Sequence, residues 1–556
     1  NVEDATGVRV DQRFDAANRP VLAQAPDGTA TLRWNLDGTL ESVSHGNGTE
    51  RHYTYDAAKR VQGIEHRRGG IAYLTFIYEY DANGNRTVER RIESGLPGQG
   101  ARSVVSTYGY DDDDRLTEVT TVHQPANPQV ADTRTVWTLD GVGNRRTETV
   151  TVLGSGETRS QKTYFYNARD QLERVADPVN ELEVRYGYDA NGNRTSREVW
   201  RGTPLSLASR VDYRFDARDR LVAATPQPPN TANTPTIQFV YDAEDRKVAR
   251  IETPWQNGAP NPAGRRVRTQ VYDGLQLMHE AEPGGPGTAN AIGLRLTDTY
   301  RRSVLSDRHI AFGAGGTGGG TANPEASVRY YELDVLGTPV GMTDEQGNAI
   351  VSTTVDAWGN PVSQTANGSS SAPVNSGNPN QDPNQSGQAA LLTGDGQSLG
   401  FTGHQKDEGL GLYYANARFY DPLVGGFGAM DPWVGDTGNP ITLNKYLYAN
   451  GNPVIYVDPS GNCGVATYVL SMGGSSLGCD MLDAAITGQS PLDKPALERF
   501  RYEQAKAFAG EAWSAAKSGF ALGNDLIGAN IEQDTGIEFG SRDRLKQRAD
   551  AASDYF

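Results

Sequence analysis

The stretch Tyr186-Gly187-Tyr188-Asp189-Ala190-Asn191-Gly192-Asn193-Arg194 has a near copy earlier in the chain, Tyr78-Glu79-Tyr80-Asp81-Ala82-Asn83-Gly84-Asn85-Arg86. In both, two aromatic residues alternate with one other residue. In an extended strand that spacing puts both rings on one face. Asp then opens a turn, and Gly accepts the positive φ that a tight hairpin loop requires. Arg begins the return strand, where its guanidinium can lie over a neighbouring ring. The nine residues therefore read as a β-hairpin with one aromatic face.

Working outward, the same unit recurs in looser form. It appears as Phe14-Asp15, Leu36-Asp37, Tyr55-Asp56, Tyr110-Asp111, Leu139-Asp140, Tyr166-Asn167, Phe215-Asp216, Tyr241-Asp242 and Tyr272-Asp273. Successive Asp or Asn positions lie 19 to 31 residues apart. A repeat of this length identifies a stacked architecture, because one hairpin cannot bury its face alone. Stacked hairpins form a long coiling sheet, so the fold class is mainly β. Composition agrees: there are 64 Gly, and 26 Tyr outnumber 14 Phe and 7 Trp, which suits many short strands joined by tight turns. The aromatic and Asp residues of the repeat read as structural, with no catalytic role.

A net charge of −17 disfavours nucleic acid as a partner for the chain as a whole. Two cysteines, Cys463 and Cys479, do not make a disulfide scaffold. The seven histidines show no metal-ligand spacing, and no cofactor motif is present. No run reaches the ~18 consecutive apolar residues of a membrane-spanning helix. The chain opens Asn1-Val2-Glu3-Asp4, with neither Met nor a signal peptide, and reads as part of a longer or processed protein.

After the repeats the pattern changes. Gly313 to Ser327 is a Gly-rich flexible loop, and the segment around 363–398 is a disordered insertion rich in Ser, Asn, Gly, Pro and Gln. Between them stand Tyr331-Glu332-Leu333-Asp334-Val335-Leu336-Gly337-Thr338-Pro339, Met342-Thr343-Asp344 and Asp356-Ala357-Trp358-Gly359-Asn360-Pro361. Beyond them come Arg418-Phe419-Tyr420-Asp421-Pro422, Gly426-Phe427, Asp431-Pro432, Asn444-Lys445-Tyr446, Asn452-Pro453 and Asp458-Pro459-Ser460-Gly461. In this order the motifs resemble the core domain of Rhs/YD-repeat proteins, a family that includes bacterial polymorphic toxins and the C component of insecticidal toxin complexes. With the repeats, the resemblance covers nearly everything from 10 to 462.

The resemblance implies a domain plan: a YD-repeat array over 1–310, an Rhs core domain over 311–462, and a variable pre-toxin or toxin region over 463–556. It implies that the array spirals into a hollow, cocoon-like shell sealed by the core domain. It also implies that the core domain is a self-cleaving aspartyl protease. Carried onto this chain, the catalytic pair is Asp431 and Asp458, with Arg418 as an orienting cation, and the cut falls between Asn462 and Cys463. Two close carboxylates cannot both ionise easily, so one stays protonated and polarises the scissile carbonyl while the other takes a proton from water. Two departures stand out. The family carries His where this chain has Glu332, and Leu where it has Asn462. An amide in an apolar pocket is left needing partners.

The last region, 463–556, differs in kind. Asp493-Lys494-Pro495 reads as a helix start, and Leu497, Phe500, Ala507, Phe508, Ala512 and Ala515 lie on one helical face. It holds 9 Lys/Arg against 13 Asp/Glu and no His. Two functions follow. One is an exported bacterial shell protein, secreted or at the cell surface, that encloses and delivers its own C-terminal region as cargo. Its further partners would be a secretion-system component, an immunity protein or a chaperone. The other is a non-cleaving structural or adhesive surface protein, the reading that Asn462 favours.

Overall fold

A computed structural model describes residues 2–3, 9–25, 28–94, 101–126, 130–227, 235–273, 276–281, 290–298, 303–311, 325–366, 399–407, 409–433, 440–462 and 465–466. The chain divides into two units, Asn1–Thr487 and Gly488–Phe556. The helical region expected from the sequence over 463–556 lies outside the described residues apart from Val465–Ala466, as does the core of the insertion.

Among the described residues, the first unit is built on one 29-stranded sheet. From Arg9–Phe14 to Pro361–Ala366 its strands follow chain order, each antiparallel to the next. The short hairpin Trp255–Gln256 with Ala259–Pro260 is an excursion from this ladder. Helix among the described residues is confined to short 3-10 turns.

The repeat owes its regularity to three local devices. First, Asp closes the turn. Asp189 N–H donates to the Asn193 carbonyl (3.0 Å), and its carboxylate accepts from Asn193 N (2.8 Å) and Asn193 Nδ2 (3.1 Å). Second, where Tyr stands before the turn it ties its unit to the one before. The hydroxyls of Tyr55, Tyr80, Tyr188 and Tyr241 donate to the carbonyls of Leu40, Val61, Leu172 and Leu221 at 2.7 to 3.1 Å. A buried phenol needs such a partner, which explains Tyr over Phe at this position. Third, Arg stacks on the aromatic face. Arg86 and Arg194 start return strands and lie 4.7 and 4.5 Å over the rings of Tyr78 and Tyr186.

A second form of the turn places Arg one residue earlier. Arg220 Nε bonds Asp216 Oδ2 (2.8 Å), and its guanidinium lies over Tyr241 of the next unit at 4.8 Å. Arg60 does the same with Asp56 and Tyr80. Here Asp219 and Lys59 take the positive φ that Gly takes in the first form.

Two sequence expectations need correction, and a third finding extends the sheet. The second unit is centred on Trp34-Asn35, not Leu36-Asp37. Asn35 N–H meets the Thr39 carbonyl (2.9 Å), Trp34 Nε1 donates to Pro20 O (2.7 Å), and Leu36 is a fully exposed turn residue. Asn35 Nδ2 donates to Thr39 Oγ1 (2.9 Å), while Asp37 Oδ1 accepts from Thr39 N (3.1 Å), so the Asp sits inside this turn and does not open it. The sheet runs on past 310, through the segment read as strands over 328–362. Strands Ser303–Ala311, Glu325–Leu333, Pro339–Thr343, Ala349–Val355 and Pro361–Ala366 continue it. Asp334–Thr338, Asp344–Asn348 and Asp356–Asn360 are turns of the same type. Finally, residues 325–327 and 363–366, read as loop and insertion, are strand; Ser363 pairs with Thr354.

From Leu399 a separate small plug begins. Strands Gln405–Asp407, Leu412–Ala415, Arg418–Asp421 and Gly426–Phe427 form a four-stranded antiparallel sheet. Its core is aromatic: Phe401, Tyr413, Tyr420, Phe427 and Tyr448 are buried together, with the Tyr420 and Tyr448 rings 4.2 Å apart.

The plug docks on the repeat wall by contacting one hairpin turn after another. Asn452 Nδ2 donates to Asn85 Oδ1 (3.1 Å) and Asp114 O (2.8 Å). Asn444 Nδ2 donates to Asn144 Oδ1 (2.8 Å) and Val142 O (3.1 Å). The Tyr446 hydroxyl donates to Gly192 O (2.9 Å) and accepts from Gln171 (3.0 Å). Buried ion pairs add Arg194–Asp421 at 2.7 Å and Arg250–Asp407 at 2.8 Å. The buried Lys247 ammonium sits 4.4 Å from the Tyr414 ring centre, with Phe239 and Phe419 beside it. The Asn-Lys-Tyr and Asn-Pro motifs are thus docking motifs, and the first Asp-Pro step supplies a latch.

Candidate active site

Arg418 opens the third plug strand with its side chain buried. The guanidinium stacks over the Phe427 ring at 3.8 Å, which fixes its plane. Its nitrogens then reach four places. Nη2 contacts Asp431 Oδ2 at 2.7 Å and Asp458 Oδ2 at 3.7 Å. Nη1 donates to the Lys445 carbonyl (3.0 Å), and Nε donates to the Gly461 carbonyl. One cation therefore joins two carboxylates that lie 27 residues apart in sequence to the end of the Asp-Pro-Ser-Gly motif.

Each carboxylate is held by its own turn. Asp431 Oδ1 accepts from Trp433 N (2.8 Å), and Asp431 N–H donates to Lys445 O (2.9 Å). Asp458 Oδ1 accepts from Gly461 N (2.9 Å). Burial pushes the Asp431 carboxyl above the usual carboxylate range, opposed by Arg418, the Trp433 N–H and Lys445. Burial also lowers Arg418, against the pull of Asp431 and Asp458.

The segment after Asp458 is anchored residue by residue. Asn416 Nδ2 donates to Pro459 O (2.8 Å), and Ala417 N donates to Ser460 O (3.0 Å). Gly461 has φ +80, and a Cβ there would run into the Ala415 carbonyl, so this position requires glycine. Asn462 N donates to Ser460 Oγ (3.3 Å), and its Oδ1 is buried with no hydrogen-bond partner. Cys463 lies outside the described residues, while Val465–Ala466 pair antiparallel with Tyr456–Val457.

The structure thus places Arg418, Asp431 and Asp458 together, with Asn462 next to Gly461. Sequence reading gave Lys445 no part here, although it stands in the Asn-Lys-Tyr motif and touches Arg418 and Asp431. Glu332 is elsewhere. It is buried, paired with His66 Nδ1, and accepts from the Tyr73 hydroxyl at 2.6 Å. These bonds hold its carboxyl down to about 2 against the upward push of burial. Its partners join strands far apart in sequence, a fold role with no link to the Arg418 site. Among the described residues, no group of three or more His, Cys, Asp or Glu side chains could hold a metal ion.

Comparison with known proteins bears on the repeats and the fold. The RHS Repeat family model matches residues 166–204, which include the nine-residue stretch ending at Arg194. The chain is 27% identical to the tRNA nuclease WapA of Bacillus subtilis over 342 residues, 60% of this chain and 11% of that protein. It is 25% identical to the toxin protein Tse5 of Pseudomonas aeruginosa over 472 residues, 82% of this chain and 30% of that protein. The chain therefore spans a minor part of these relatives. Among solved structures it is similar in fold to the Photorhabdus luminescens Tc holotoxin pore, with TM-score 0.59, 17% identity, and coverage of 83% of this chain and 20% of that one.

Proposed function

We propose that the chain is a Rhs/YD-repeat protein, the sealing end of a toxin-delivery shell that cuts itself between Asn462 and Cys463. The cargo in this reading is its own downstream region, carried by an exported bacterial effector. Support for delivery comes from relatives named as toxins and from the likeness in fold to a Tc toxin structure. Support for cleavage comes from one observation, the convergence of Arg418 on Asp431, Asp458 and the Gly461 carbonyl.

The chemistry follows from that geometry. Arg418 and Asp458 hold Gly461 from both sides, which fixes the chain just before the bond to be cut. Water adds its oxygen to the Asn462 carbonyl carbon. One aspartate takes the water proton as the other gives its proton to the carbonyl oxygen. Collapse breaks the carbon–nitrogen bond, the amine of Cys463 takes up a proton, and Asn462 keeps a carboxyl group. Arg418 lets the two carboxylates sit close in a buried place and holds their orientation.

The non-cleaving structural reading rests on Asn462, whose buried Oδ1 lacks a partner where the family has an apolar side chain. Intact mass decides between them. Cleavage gives one fragment ending at Asn462 and one starting at Cys463. Asp431→Asn and Asp458→Asn each abolish it, nearly as completely as the double variant, because the pair works as a unit. Asn462→Leu accelerates it. A wild-type chain and an Asn462→Leu chain that both stay intact over days establish the structural reading. Cleavage of Asp431→Asn at the wild-type rate removes the aspartyl mechanism.

A further inference from the structure

The turn that opens the plug carries a residue that its backbone does not suit. The turn from Phe401 to His404 is closed by His404 N–H donating to the Phe401 carbonyl (3.1 Å). Both central residues have positive φ, Thr402 at +52 and Gly403 at +77. Asn-Gly or Gly-Gly ordinarily fills such a turn. A β-branched residue in this conformation is strained, so the reason for Thr402 lies in what its groups touch.

Thr402 Oγ1 donates to the Phe401 carbonyl (2.9 Å) and lies 3.2 Å from the buried Tyr448 hydroxyl. With the Thr402 proton on Phe401, Tyr448 donates to Thr402 Oγ1, and the Tyr448 oxygen accepts from the Asp458 backbone N–H. The buried His404 ring donates to the Asp458 carbonyl. The turn thus reaches the backbone of Asp458 on both sides of its Cα. The carboxylate of the same residue meets Gly461 N (2.9 Å) and Arg418 Nη2 (3.7 Å). At its other end the path starts on the repeat sheet. Thr402 N–H donates to Thr338 Oγ1 (3.1 Å), and Thr338 N–H donates to Asp334 Oδ1 (2.8 Å) in the hairpin turn Asp334–Thr338. Hydrogen bonds therefore run from the wall at Thr338 through Thr402 and Tyr448 to Asp458.

We propose that Thr402 is a positioning residue that carries the seating of the plug on the Asp334–Thr338 turn to the backbone of Asp458, so that cleavage waits until the plug has docked. The inference rests on the cleavage reading and adds a condition to it. A plug lifted off the wall loses the Thr338 bond, and with it a restraint on the strained Thr402 backbone. Thr402 then relaxes, its hydroxyl leaves Tyr448, and Asp458 loses its place beside Arg418. Thr402 itself touches neither water nor the scissile bond.

The test uses the full chain and two readouts. In the first, chains made by short pulses of cell-free synthesis are followed by gel for the first-order rate of cleavage. Thr402→Gly suits the turn's backbone but has no hydroxyl. It slows cleavage roughly tenfold or more, as a displaced catalytic group does, while the denaturant midpoint of the plug stays at or above the wild-type value. Thr402→Ser keeps the hydroxyl and restores the rate. Thr338→Val keeps the shape, removes the acceptor and slows cleavage likewise. The double variant with Thr402→Gly is no slower than Thr402→Gly alone, because the two residues lie on one path. In the second readout, hydrogen exchange of the Asp458 amide is measured by peptide mass spectrometry, whether or not the chain has cut. Exchange quickens roughly tenfold in Thr402→Gly and in Thr338→Val and returns in Thr402→Ser. Wild-type cleavage by Thr402→Gly overturns the proposal, as do additive losses in the double variant, slowing that follows a lowered plug midpoint, or an Asp458 amide whose exchange does not change. A wild-type chain that never cuts, with exchange still quickened in both variants, instead removes the cleavage reading and leaves the hold of Thr402 on Asp458 standing.

Discussion

The repeat wall and the plug solve the same packing problem in opposite ways. In the wall, hairpins are closed by bonds four residues apart and, where Tyr stands before the turn, tied to the neighbour by its hydroxyl 15 to 20 residues on. The plug depends on partners more than a hundred residues away, such as Asn452 with Asn85, Asn444 with Asn144 and Asp421 with Arg194. A wall built from local rules tolerates variable loops, since the spacing between units plays no part in closing a turn. A plug built from long-range contacts has no such freedom. Its Asn452, Asn444 and Asp421 each find their partners in different repeats.

The sharpest way to break this contrast is to remove one half of a long-range pair. Asp421→Ala leaves the Arg194 guanidinium buried without its carboxylate. Loss of one member of a buried pair costs about 3–5 kcal/mol. The plug should then open before the wall unfolds, seen as early protease cutting between 399 and 462 during a denaturant titration. The same deletion in an exposed wall pair, Glu118→Ala opposite Arg134, should leave both transitions in place. Equal effects from the two would show that the plug is no more dependent on its pairs than the wall is.

A second test uses the protonation of the seam. Burial lowers the Lys247 ammonium to about 8, while Asp407 and Glu280 pull it up. Its folded value lies below the unfolded one of about 10.4. Between these two the unfolded chain binds more protons, so stability rises as pH increases from about 8 toward 10, and below about 8 the buried charge is a constant cost. Denaturant midpoints measured across this window should climb in the wild type and flatten in Lys247→Met. A wild-type profile as flat as the variant's would mean that the aromatic cage and its carboxylates hold the ammonium without penalty.

The same contrast explains what was legible in the sequence. The hairpin array was readable because its rules act within a few residues. Even there, Asn35 and the turns at Asp344 and Asp356 escaped, since Asn stands in place of Asp at the first and no aromatic stands before the other two. The extent of the sheet past 310 was hidden for a related reason. A Gly-rich loop looks like a boundary, yet strands on either side of it pair through Ser306 and Tyr330. At the candidate site, the resemblance of the motifs supplied Asp431, Asp458 and Arg418. Periodicity alone could not have joined carboxylates 27 residues apart. Lys445 was hidden because half of its part is played by its backbone carbonyl, which no side-chain pattern encodes.

The smallest effect tests the wall's own rule. Tyr241 donates its hydroxyl to the Leu221 carbonyl of the preceding unit at 2.7 Å. At the equivalent position the preceding unit carries Phe215, which has no hydroxyl, and the matching carbonyl one unit earlier is that of Arg194. If the hydroxyl is the link between units, Tyr241→Phe should lose about 1 kcal/mol, the net worth of one such hydrogen bond. Phe215→Tyr should gain a similar amount by adding the missing link. The ring, its burial and the strand stay the same in both, so the pair isolates the oxygen atom. Denaturant midpoints of the wall transition, followed by tyrosine and tryptophan fluorescence, should move in opposite directions. Loss in both variants would mean that the Phe215 site is packed too tightly for an oxygen. No change in either would mean that neighbouring hairpins are held by their backbone ladder and stacked rings, with the hydroxyl only satisfying a buried carbonyl that water would otherwise reach.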